Sequence, residues 1–476
     1  MQNFDSSRRS ALKTLLGVLA LPTFYTVAQA DTQLPRPPSD ANVLFLQRHD
    51  AEYLKHRQIF NKRITLMPRF IAVCYNETGV QTAIRYANQT NLAVSVKSGG
   101  HCFEGYSLNE GGLLIDLSLF NKLSYSADSK TLVAQAGAKL GKVYEYLAPH
   151  KRLIPAGSCA GVGVAGLTLG GGYGFFARQY GLTCDSLKRV QLVDGKGNLL
   201  DSKDNPELLW ACRGGNNGSF GVVTRFTFNT HPAPNFFRSY RFKYKNLNLV
   251  QATALAKRWF DLMPSLPTTA YSSWVLNRNQ LTILMTDMRP STNALQAILK
   301  SLSKGASDIM PVRKDSFLAG IKRYRGGQEP MYFKNVSAGY YQSFKSIEAA
   351  FPDIFKAMQA SPLKQNLLQI NTLGGAINDA GKAASSAYPH RSYAFLGEYQ
   401  VYYDKASDGN RAVDLVNQIQ KRLTAAGIQA HYANYPDINL PNWQEAYYGA
   451  SYARLQKLKH QLDPDNRIRH PQSVQL

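Results

Sequence analysis

Residues 155–181 read PAGSCAGVGVAGLTLGGGYGFFARQYG and hold nine glycines. A glycine in regular structure costs roughly 0.5–1 kcal/mol relative to alanine, so this density indicates a structural requirement. The N–H groups of successive glycines can converge on an anion without interference from a Cβ atom. The stretch therefore predicts a loop that binds the phosphates of a nucleotide.

Two other interpretations of this stretch are open. Gly172–Ala177 fits the dinucleotide fingerprint G-x-G-x-x-A, and Asp194 lies twenty residues further on. However, that fingerprint should directly follow a buried strand, whereas GLTLGG precedes it here. Asp194 also begins the D-G turn of a predicted hairpin, RVQLVDGKGNLLDS. A loop whose glycines serve only packing is the second alternative.

Three further motifs accompany the glycine-rich stretch: SVKSGGHCFEGYS at 95–107, GGNNGSFGVVT at 214–224 and AYYGASYARLQKLKHQLDPDNRIRHPQSV at 446–474. Together with residues 155–174 they resemble the vanillyl-alcohol-oxidase class of flavoproteins. The closest similarity is to its berberine-bridge-enzyme-like branch, which includes many sugar oxidases. The resemblance extends over about residues 40–235 and 365–476.

The order of predicted elements favours an α+β fold. After residue 236, half-exposed strands such as QLTILMTD and YAFLGEYQVYY alternate with helical segments in mixed order, unlike a regular βαβ winding. GVVTRFTFNTHPAP at 221–234 reads as an edge strand ending in prolines, and we place a domain boundary after it. The resemblance implies a two-part FAD-binding domain of the PCMH type, 40–235 and 441–476. It also implies a substrate-binding domain, 236–440, with an antiparallel sheet covered by helices.

The resemblance implies that FAD is the cofactor and that the loop 96–101 cradles its pyrophosphate, with Lys97 as a charge partner. Family members with bicovalent flavin attach it through a histidine of SGGH and a cysteine of PAG-x-C, here His101 and Cys159. Imidazole is a neutral nucleophile near pH 7, and a thiolate can add if surrounding amides lower its pKa. The neighbouring Cys102 is expected to point away. The other expected cofactor contacts are Ser98, Gly99, Gly100, Val162, Gly163, Gly166, Gly170, Gly171, Gly172, Tyr173, Gly174, Val222, Val223 and Tyr448.

The substrate side of the site is predicted from two further stretches. YANYPDINL at 432–440 resembles the family segment whose second tyrosine is the base in several members, which is Tyr435 here. A free phenol has a pKa near 10, so the site must lower it or the proton must leave in concert. Asp379, after a Gly-Gly pair, matches an acidic position that faces the flavin and is a second candidate base or an orienting residue. Gln369 and Glu398, on predicted strands, are candidates for binding substrate hydroxyls.

Composition and the N-terminal residues limit the other classes. Five cysteines without a C-x-x-C pair argue against a clustered zinc site, and no metal site is predicted. The formal charge of +23 would suit a polyanion, but no nucleic-acid-binding motif accompanies it. Residues 1–30 read as a twin-arginine-type signal peptide with paired Arg8 and Arg9. No later apolar run reaches the ~20 residues of a membrane helix, so we expect an exported, periplasmic or secreted protein.

These observations predict a FAD-dependent oxidase of an alcohol, sugar or oligosaccharide that reduces molecular oxygen to hydrogen peroxide. In the family, a valine three residues after the flavin cysteine leaves oxygen access to the flavin, and Val162 holds that position. A dehydrogenase of the same substrates with another electron acceptor is the alternative. A non-enzymatic protein that binds an envelope polyanion is the alternative from another class.

Overall fold

The computed structural model describes residues 34–476. Its strands are β1 (Val43–Leu46), β2 (Phe70–Cys74), β3 (Val94–Lys97), β4 (Leu113–Asp116), β5 (Leu123–Ser126), β6 (Thr131–Gln135), β7 (Arg152–Leu153), β8 (Leu187–Asp194), β9 (Leu199–Asp201), β10 (Gly221–Asn229), β11 (His231–Pro232), β12 (Phe237–Tyr244), β13 (Ala270–Asn277), β14 (Gln280–Asp287), β15 (Asp308–Ile309), β16 (Arg313–Asp315), β17 (Tyr332–Tyr341), β18 (Gln365–Thr372) and β19 (Phe395–Tyr403). Its α-helices are α1 (Tyr53–Arg57), α2 (Glu77–Thr90), α3 (Leu140–Leu147), α4 (Val164–Leu169), α5 (Ala177–Tyr180), α6 (Pro206–Cys212), α7 (Leu249–Leu262), α8 (Asn293–Ser303), α9 (Phe317–Lys322), α10 (Phe351–Ala360), α11 (Ala380–Ala384), α12 (Gly409–Ala425), α13 (Trp443–Tyr448) and α14 (Tyr452–Leu462).

A four-stranded sheet in the order β1-β2-β4-β3 carries the first cofactor motif at the end of β3. Its strands β2, β4 and β3 are parallel, and every residue of β2, FIAVC, is buried. Helix α2 covers this sheet with Val80 and Ile84, and the side chain of Asn76 caps its N-terminus by accepting a hydrogen bond from the Gly79 N–H. Apolar strands buried on both faces are what a parallel sheet requires.

A five-stranded antiparallel sheet in the order β5-β6-β10-β8-β9 places β10 at its centre. The expectation of an edge strand over 221–234 is therefore wrong for β10, because β6 and β8 pair with both of its sides. The prolines that suggested an edge, Pro232 and Pro234, lie beyond the last residue of this strand. The β8–β9 hairpin forms as predicted, and the carboxylate of Asp194 accepts hydrogen bonds from the N–H groups of Lys196 and Asn198. Asp194 ends β8 and its carboxylate binds the N–H groups of the turn, so it does not take the ribose-binding role that the dinucleotide fingerprint requires.

An eight-stranded antiparallel sheet in the order β15-β12-β14-β13-β18-β19-β17, with β16 beside β12, forms the next layer. Helices α7, α10 and α12 cover one face of this sheet. Side chains alternate between the two faces, so Leu368 and Ile370 of β18 join the helix-covered core, whereas Gln369 between them points to the other face. The sheet confirms the predicted α+β class.

The C-terminal segment returns to the first sheet. The Val94 N–H donates to the carbonyl of Arg467 at 2.7 Å, and Val94 forms a parallel bridge with Ile468. Residues Pro37–Leu476 form one compact unit. The predicted boundary at 235/236 lies between β11 and β12, and the division into domains stays a prediction.

The expected signal peptide and its arginine pair lie outside the described residues. Within residues 34–476, no helix is both long and apolar enough to span a bilayer. All five cysteines, which lie in this part of the chain, are free thiols.

Candidate active site

A cavity of about 530 Å³ lies between the glycine-rich loops and the face of the eight-stranded sheet that the helices leave uncovered. We call the glycine-rich side the floor and the sheet side the roof. The floor includes Ser98, Gly99, Gly100, His101, Gly157, Cys159, Val162, Gly163, Gly166, Tyr173, Gly174, Val223 and Tyr448; the roof includes Tyr271, Asn335, Gln369, Glu398, Gln400 and Tyr402.

Two floor loops touch through their backbones, which explains why each carries glycine at the contact. A Cβ atom on Gly99 would lie 2.3 Å from the Gly163 nitrogen, and one on Gly163 would lie 2.4 Å from the Gly99 nitrogen. Gly100 has φ = +67°, a conformation that other residues rarely adopt. The hydroxyl of Ser98 donates a hydrogen bond to the carbonyl oxygen of Ala136 at 2.6 Å, which holds the loop in place.

Gly170–Gly172 pack against the segment 432–435 and do not line the cavity. A Cβ atom on Gly170 would lie 2.2 Å from the amide oxygen of Asn434, and one on Gly171 would lie 2.8 Å from the Tyr388 ring. The Gly172 N–H donates to the hydroxyl of Tyr432 at 2.9 Å. These glycines therefore position the predicted catalytic tyrosine segment, and their expected contact with the cofactor is corrected.

Tyr435 lies at the centre of a polar and aromatic group. Its hydroxyl is 2.7 Å from that of Tyr173, and its ring stacks on Phe103 with centroids 5.1 Å apart and planes 10° apart. The Glu398 carboxylate lines the same cavity and lies close enough to this hydroxyl to affect its pKa. Burial, with Glu398 as a further cause, raises the pKa of Tyr435 well above 10. A Tyr435 phenolate formed before the reaction is thereby disfavoured. Tyr435 must therefore release its own proton at the same time as it receives the proton of the substrate.

A buried ion cluster anchors the catalytic segment two residues further on. The Lys334 ammonium on β17 pairs with Asp437 at 2.8 Å and also with Glu104, which follows Phe103 directly. The same cluster thus joins the loop that follows His101 to the segment that holds Tyr435. Loss of one partner would leave a buried charge unpaired, which is costly.

Glu398 is the one carboxylate among the described residues that line the cavity. Burial raises its pKa to about 8, although the nearby Gln400 and Tyr435 oppose this. Since it is opposite Gln369 in the β18–β19 register, the two residues predicted to bind substrate lie side by side. A carboxyl group with a pKa near the working pH can accept a proton and release it again.

His101 and Cys159 both face the cavity. The His101 ring stacks on Phe60 at 4.3 Å, and burial, with Lys139 nearby, lowers the pKa of this imidazole to about 4. The ring is therefore neutral and nucleophilic at pH 7. In contrast, desolvation and the nearby Glu398 raise the pKa of the Cys159 thiol to about 11, so the lowered thiol pKa that favours thiolate addition is not found here. Cys102 lines the cavity too, contrary to expectation.

Comparison with known proteins agrees with this geometry. The model of the family described as FAD binding domain matches residues 68–203, and that described as berberine and berberine like matches residues 431–475. The uncharacterized FAD-linked oxidoreductase YgaK of Bacillus subtilis (strain 168) is 30% identical, over 90% of this chain and 95% of its own. The chain belongs to the berberine-bridge-enzyme-like family of FAD-linked oxidoreductases.

Two further similarities bear on this family assignment. The xylooligosaccharide oxidase of Thermothelomyces thermophilus is 27% identical, over 92% of this chain and 93% of its own. The structure of the Physcomitrella patens BBE-like 1 protein superposes with a TM-score of 0.83 at 25% identity, over 91% of this chain and 97% of its own. The chain is thus an enzyme of this family with FAD as its cofactor.

The floor fits FAD, because Gly166 faces empty space: no atom lies within 4 Å of the position of a Cβ atom there. Among the described residues that line the cavity, Arg469 carries the one permanent positive charge, which suits a pyrophosphate. The Tyr106 ring stacks on His470 at 4.4 Å, and the Tyr106 hydroxyl donates to Gln472 at 2.7 Å. The C-terminal residues therefore complete the wall on this side.

Two predicted cofactor contacts point away because adjacent residues of an extended strand face opposite sides. Val96 and Ser98 line the cavity, whereas the Lys97 ammonium between them is buried, 3.2 Å from the Asp116 carboxylate, and donates to the His56 carbonyl. Val223 lines the cavity, and Val222 is buried behind it. Arg469, not Lys97, is the cationic residue among the described residues that line the cavity.

Asp379 is also corrected as a catalytic candidate. It is exposed at the N-terminus of α11, where its carboxylate accepts a hydrogen bond from the Lys382 N–H at 2.9 Å. It does not line the cavity. The carboxylate that lines the cavity with Tyr435 is Glu398 instead, which the sequence predicted only as a substrate ligand.

The sequence-based prediction missed the rest of the roof. Gln400 and Tyr402 follow Glu398 at intervals of two along β19, and Asn371 follows Gln369 in the same way along β18. The alternation of a half-buried strand was the signal that could have found them.

We expect Gly166→Ala to separate cofactor binding from folding. The added methyl group meets no protein atom, so folding is unaffected or slightly favoured in α4, but it enters the space of FAD and weakens binding by about 1–3 kcal/mol. FAD titration in the background of the His101→Ala, Cys159→Ala double variant, where no covalent bond can retain the flavin, and the unfolding midpoint report the two effects. Gly409→Ala in α12, with the Cβ position 3.4 Å from the Tyr403 hydroxyl oxygen, is the control. Equal FAD affinity in both variants would contradict this placement of FAD.

Proposed function

We propose that this protein is an exported oxidase that uses FAD to oxidise a hydroxyl-bearing carbon of a sugar or oligosaccharide, with oxygen as electron acceptor and hydrogen peroxide as product. The observation that carries the proposal is that Tyr435 and Glu398, a base and a carboxylate, line one cavity together with the amides of the roof. When bound, FAD supplies the two-electron oxidant that takes a hydride from the substrate carbon. The substrate hydroxyl proton passes to Tyr435, whose own proton passes to Glu398.

The chemistry of the roof supports a polyhydroxylated substrate. The side chains of Asn335, Gln369, Gln400, Tyr271 and Tyr402 all bring amide or phenol groups to the cavity, and each can both donate and accept a hydrogen bond. A flat apolar substrate would leave unpaired the donor and acceptor positions that these groups do not use among themselves, which costs free energy. The similarity to a xylooligosaccharide oxidase and the fold shared with a chitooligosaccharide oxidase agree with this class.

A screen of reducing mono- and oligosaccharides against simple and aromatic alcohols, with detection of hydrogen peroxide, tests the substrate class. We expect turnover of saccharides and little turnover of aromatic alcohols. Val162, which lines the cavity three residues after Cys159, supports oxygen as the acceptor. Stopped-flow reoxidation of the reduced enzyme by oxygen measures this directly. Slow reoxidation, together with rapid turnover with an artificial electron acceptor, would identify a dehydrogenase instead.

We also propose that FAD is attached at both His101 and Cys159. The neutral imidazole of His101 and the thiol of Cys159 both face the cavity, which supports the attachment. Acid-precipitated protein is expected to stay yellow, and His101→Ala or Cys159→Ala alone should keep the flavin through the other residue. Only the double variant should release all of it. Complete release from the unaltered protein would contradict the attachment.

Export is proposed from residues 1–30 alone. Expression with Arg8 and Arg9 replaced by lysine, followed by fractionation, is expected to hold the protein in the cytoplasm. Unchanged export would argue against the twin-arginine route.

A further inference from the structure

The polar side chains of the roof are joined in one hydrogen-bonded series that begins at a backbone group. The Val401 N–H donates to the Asn335 side-chain oxygen at 3.1 Å. A backbone N–H can only donate, so the Asn335 oxygen is fixed at this position and its NH₂ group must face the other way. That NH₂ group donates to the hydroxyl oxygen of Tyr402 at 3.0 Å.

The same direction continues across β19 and β18. The Tyr402 hydroxyl donates to the Gln400 oxygen at 3.1 Å, and the Gln400 NH₂ group donates to the Gln369 oxygen at 3.2 Å. The Gln369 NH₂ group donates to the Asn371 oxygen at 2.9 Å. Each amide accepts on one side and donates on the other, so its orientation is set by its neighbour.

Asn371 receives a second constraint from β13. The Tyr271 hydroxyl donates to the same Asn371 oxygen at 2.6 Å, so two donors hold that oxygen in place. The Asn371 NH₂ group is thereby directed to Tyr173 and donates to its hydroxyl oxygen at 3.1 Å. Asn371 is completely buried, so water does not compete for these bonds.

The direction of the Tyr173–Tyr435 hydrogen bond follows from this arrangement. Among the described residues, Tyr435 is the one acceptor within hydrogen-bonding distance of the Tyr173 hydroxyl proton, because the Asn371 NH₂ group is itself a donor. The Glu398 carboxylate lines the cavity near the Tyr435 hydroxyl. When Tyr173 donates to Tyr435, the Tyr435 proton is left to pass to Glu398.

We propose that Asn371 is a positioning residue that fixes the proton of Tyr173 on Tyr435 and so directs the Tyr435 proton to Glu398. This inference rests on the proposed function. During oxidation the substrate O–H bond breaks and its proton binds the Tyr435 oxygen, while the Tyr435 O–H bond breaks and its proton binds Glu398. FAD, when bound at the floor, would supply the acceptor for the hydride, so the substrate loses two electrons and two hydrogens in total.

Asn371→Asp tests the proposal because it replaces the NH₂ donor by an acceptor of the same shape. The Tyr173 proton is then expected to turn to the new carboxylate and leave Tyr435. Asn366→Asp is the matched control: Asn366 is also completely buried on β18 and, like Asn371, does not line the cavity, but it accepts from the hydroxyl of Tyr399 in the helix-covered core. Asn371→Leu removes the donor without adding an acceptor or a charge.

Neutron diffraction of the deuterated holoenzyme shows the deuteron positions directly. We expect the Tyr173 deuteron on the line to Tyr435 in the unaltered protein and on the line to residue 371 in Asn371→Asp. A Tyr173 deuteron directed away from Tyr435 in the unaltered protein overturns the proposal. This result does not depend on any substrate, so it can be told apart from a failure of the proposed function.

Anaerobic flavin reduction at saturating substrate supplies the second measurement. Asn371→Asp and Asn371→Leu are expected to lower the reduction rate constant by about ten- to a hundredfold with KM little changed, since the effect arises at proton transfer. Asn366→Asp is expected to keep the rate within about twofold, in the range of an independent site. Equal losses in the Asn371 and Asn366 variants, with parallel loss of flavin, would show a merely structural role and overturn the proposal.

Discussion

Tyr435→Phe is expected to lower the rate constant for flavin reduction by about 10²–10⁴-fold, the range that general base catalysis contributes. The ring remains stacked on Phe103, so packing is preserved, but the oxygen that receives the substrate proton is lost. Since Tyr435 links the substrate to Glu398, its removal also disconnects the carboxylate. Anaerobic stopped-flow reduction measures the rate constant.

Tyr399→Phe is the control for this variant. Tyr399 neighbours Glu398 on β19, but its ring belongs to the helix-covered core and its hydroxyl reaches Asn366. We expect full flavin content in both variants and near-normal reduction in Tyr399→Phe. A loss below about tenfold in Tyr435→Phe would exclude Tyr435 as the base.

Glu398→Gln is expected to abolish the pH dependence of flavin reduction between pH 7 and 9. Glu398 must be ionised to accept a proton, so with its pKa of about 8 the rate should rise about tenfold over this range and level off above it. The pKa values of His101 and His470 are lowered to about 4, and that of Cys159 is raised to about 11, so none of these neighbours titrates in the same window. The variant should be slower by about 10²-fold or more, with a flat profile.

The same substitution should stabilise the fold at high pH. The pKa of Glu398 is raised on folding from 4.5 to about 8, so the protonated form is favoured in the folded state. Stability is therefore lost as the pH rises from the unfolded to the folded pKa value, and the loss amounts to roughly 3–5 kcal/mol. We expect Glu398→Gln to unfold at a higher temperature than the unaltered protein at pH 9 and at a similar temperature at pH 4.5. Equal stability at both pH values would contradict the raised pKa.

Local motifs predicted the floor of the site well, and the roof poorly. The loop 98–101 and the segment around Cys159 are continuous in sequence, so their glycines and reactive side chains could be recognised together. Lys97 and Val222 were misassigned because consecutive residues of a motif on a strand point to opposite faces, and only one of these faces lines the cavity. Asp379 was misassigned because only the fold shows that its loop turns outward.

The residues that complete the site depend on contacts between distant parts of the chain. Lys334 pairs with Glu104, 230 positions earlier, and with Asp437, 103 positions later. No local pattern indicates such pairing. The alternation of side chains along a strand could have predicted Asn371 from Gln369 and Gln400 from Glu398. The orientation of their amide groups, however, depends on the hydrogen-bonded series that begins at the Val401 N–H. The sequence could therefore predict the cofactor and the family, but not the connected polar roof.

The return of the C-terminal segment to the first sheet has a consequence for biosynthesis. Tyr106 and Gln472, which hydrogen-bond in the cavity wall, are 366 residues apart in the chain. At about 5–20 residues per second, the ribosome needs roughly 20–70 s to add the second after the first. Throughout that time the nascent chain exposes an unfinished pocket that lacks Arg469 and His470. Loading of FAD into the complete pocket therefore follows synthesis of this segment, and the nascent floor must avoid aggregation until then.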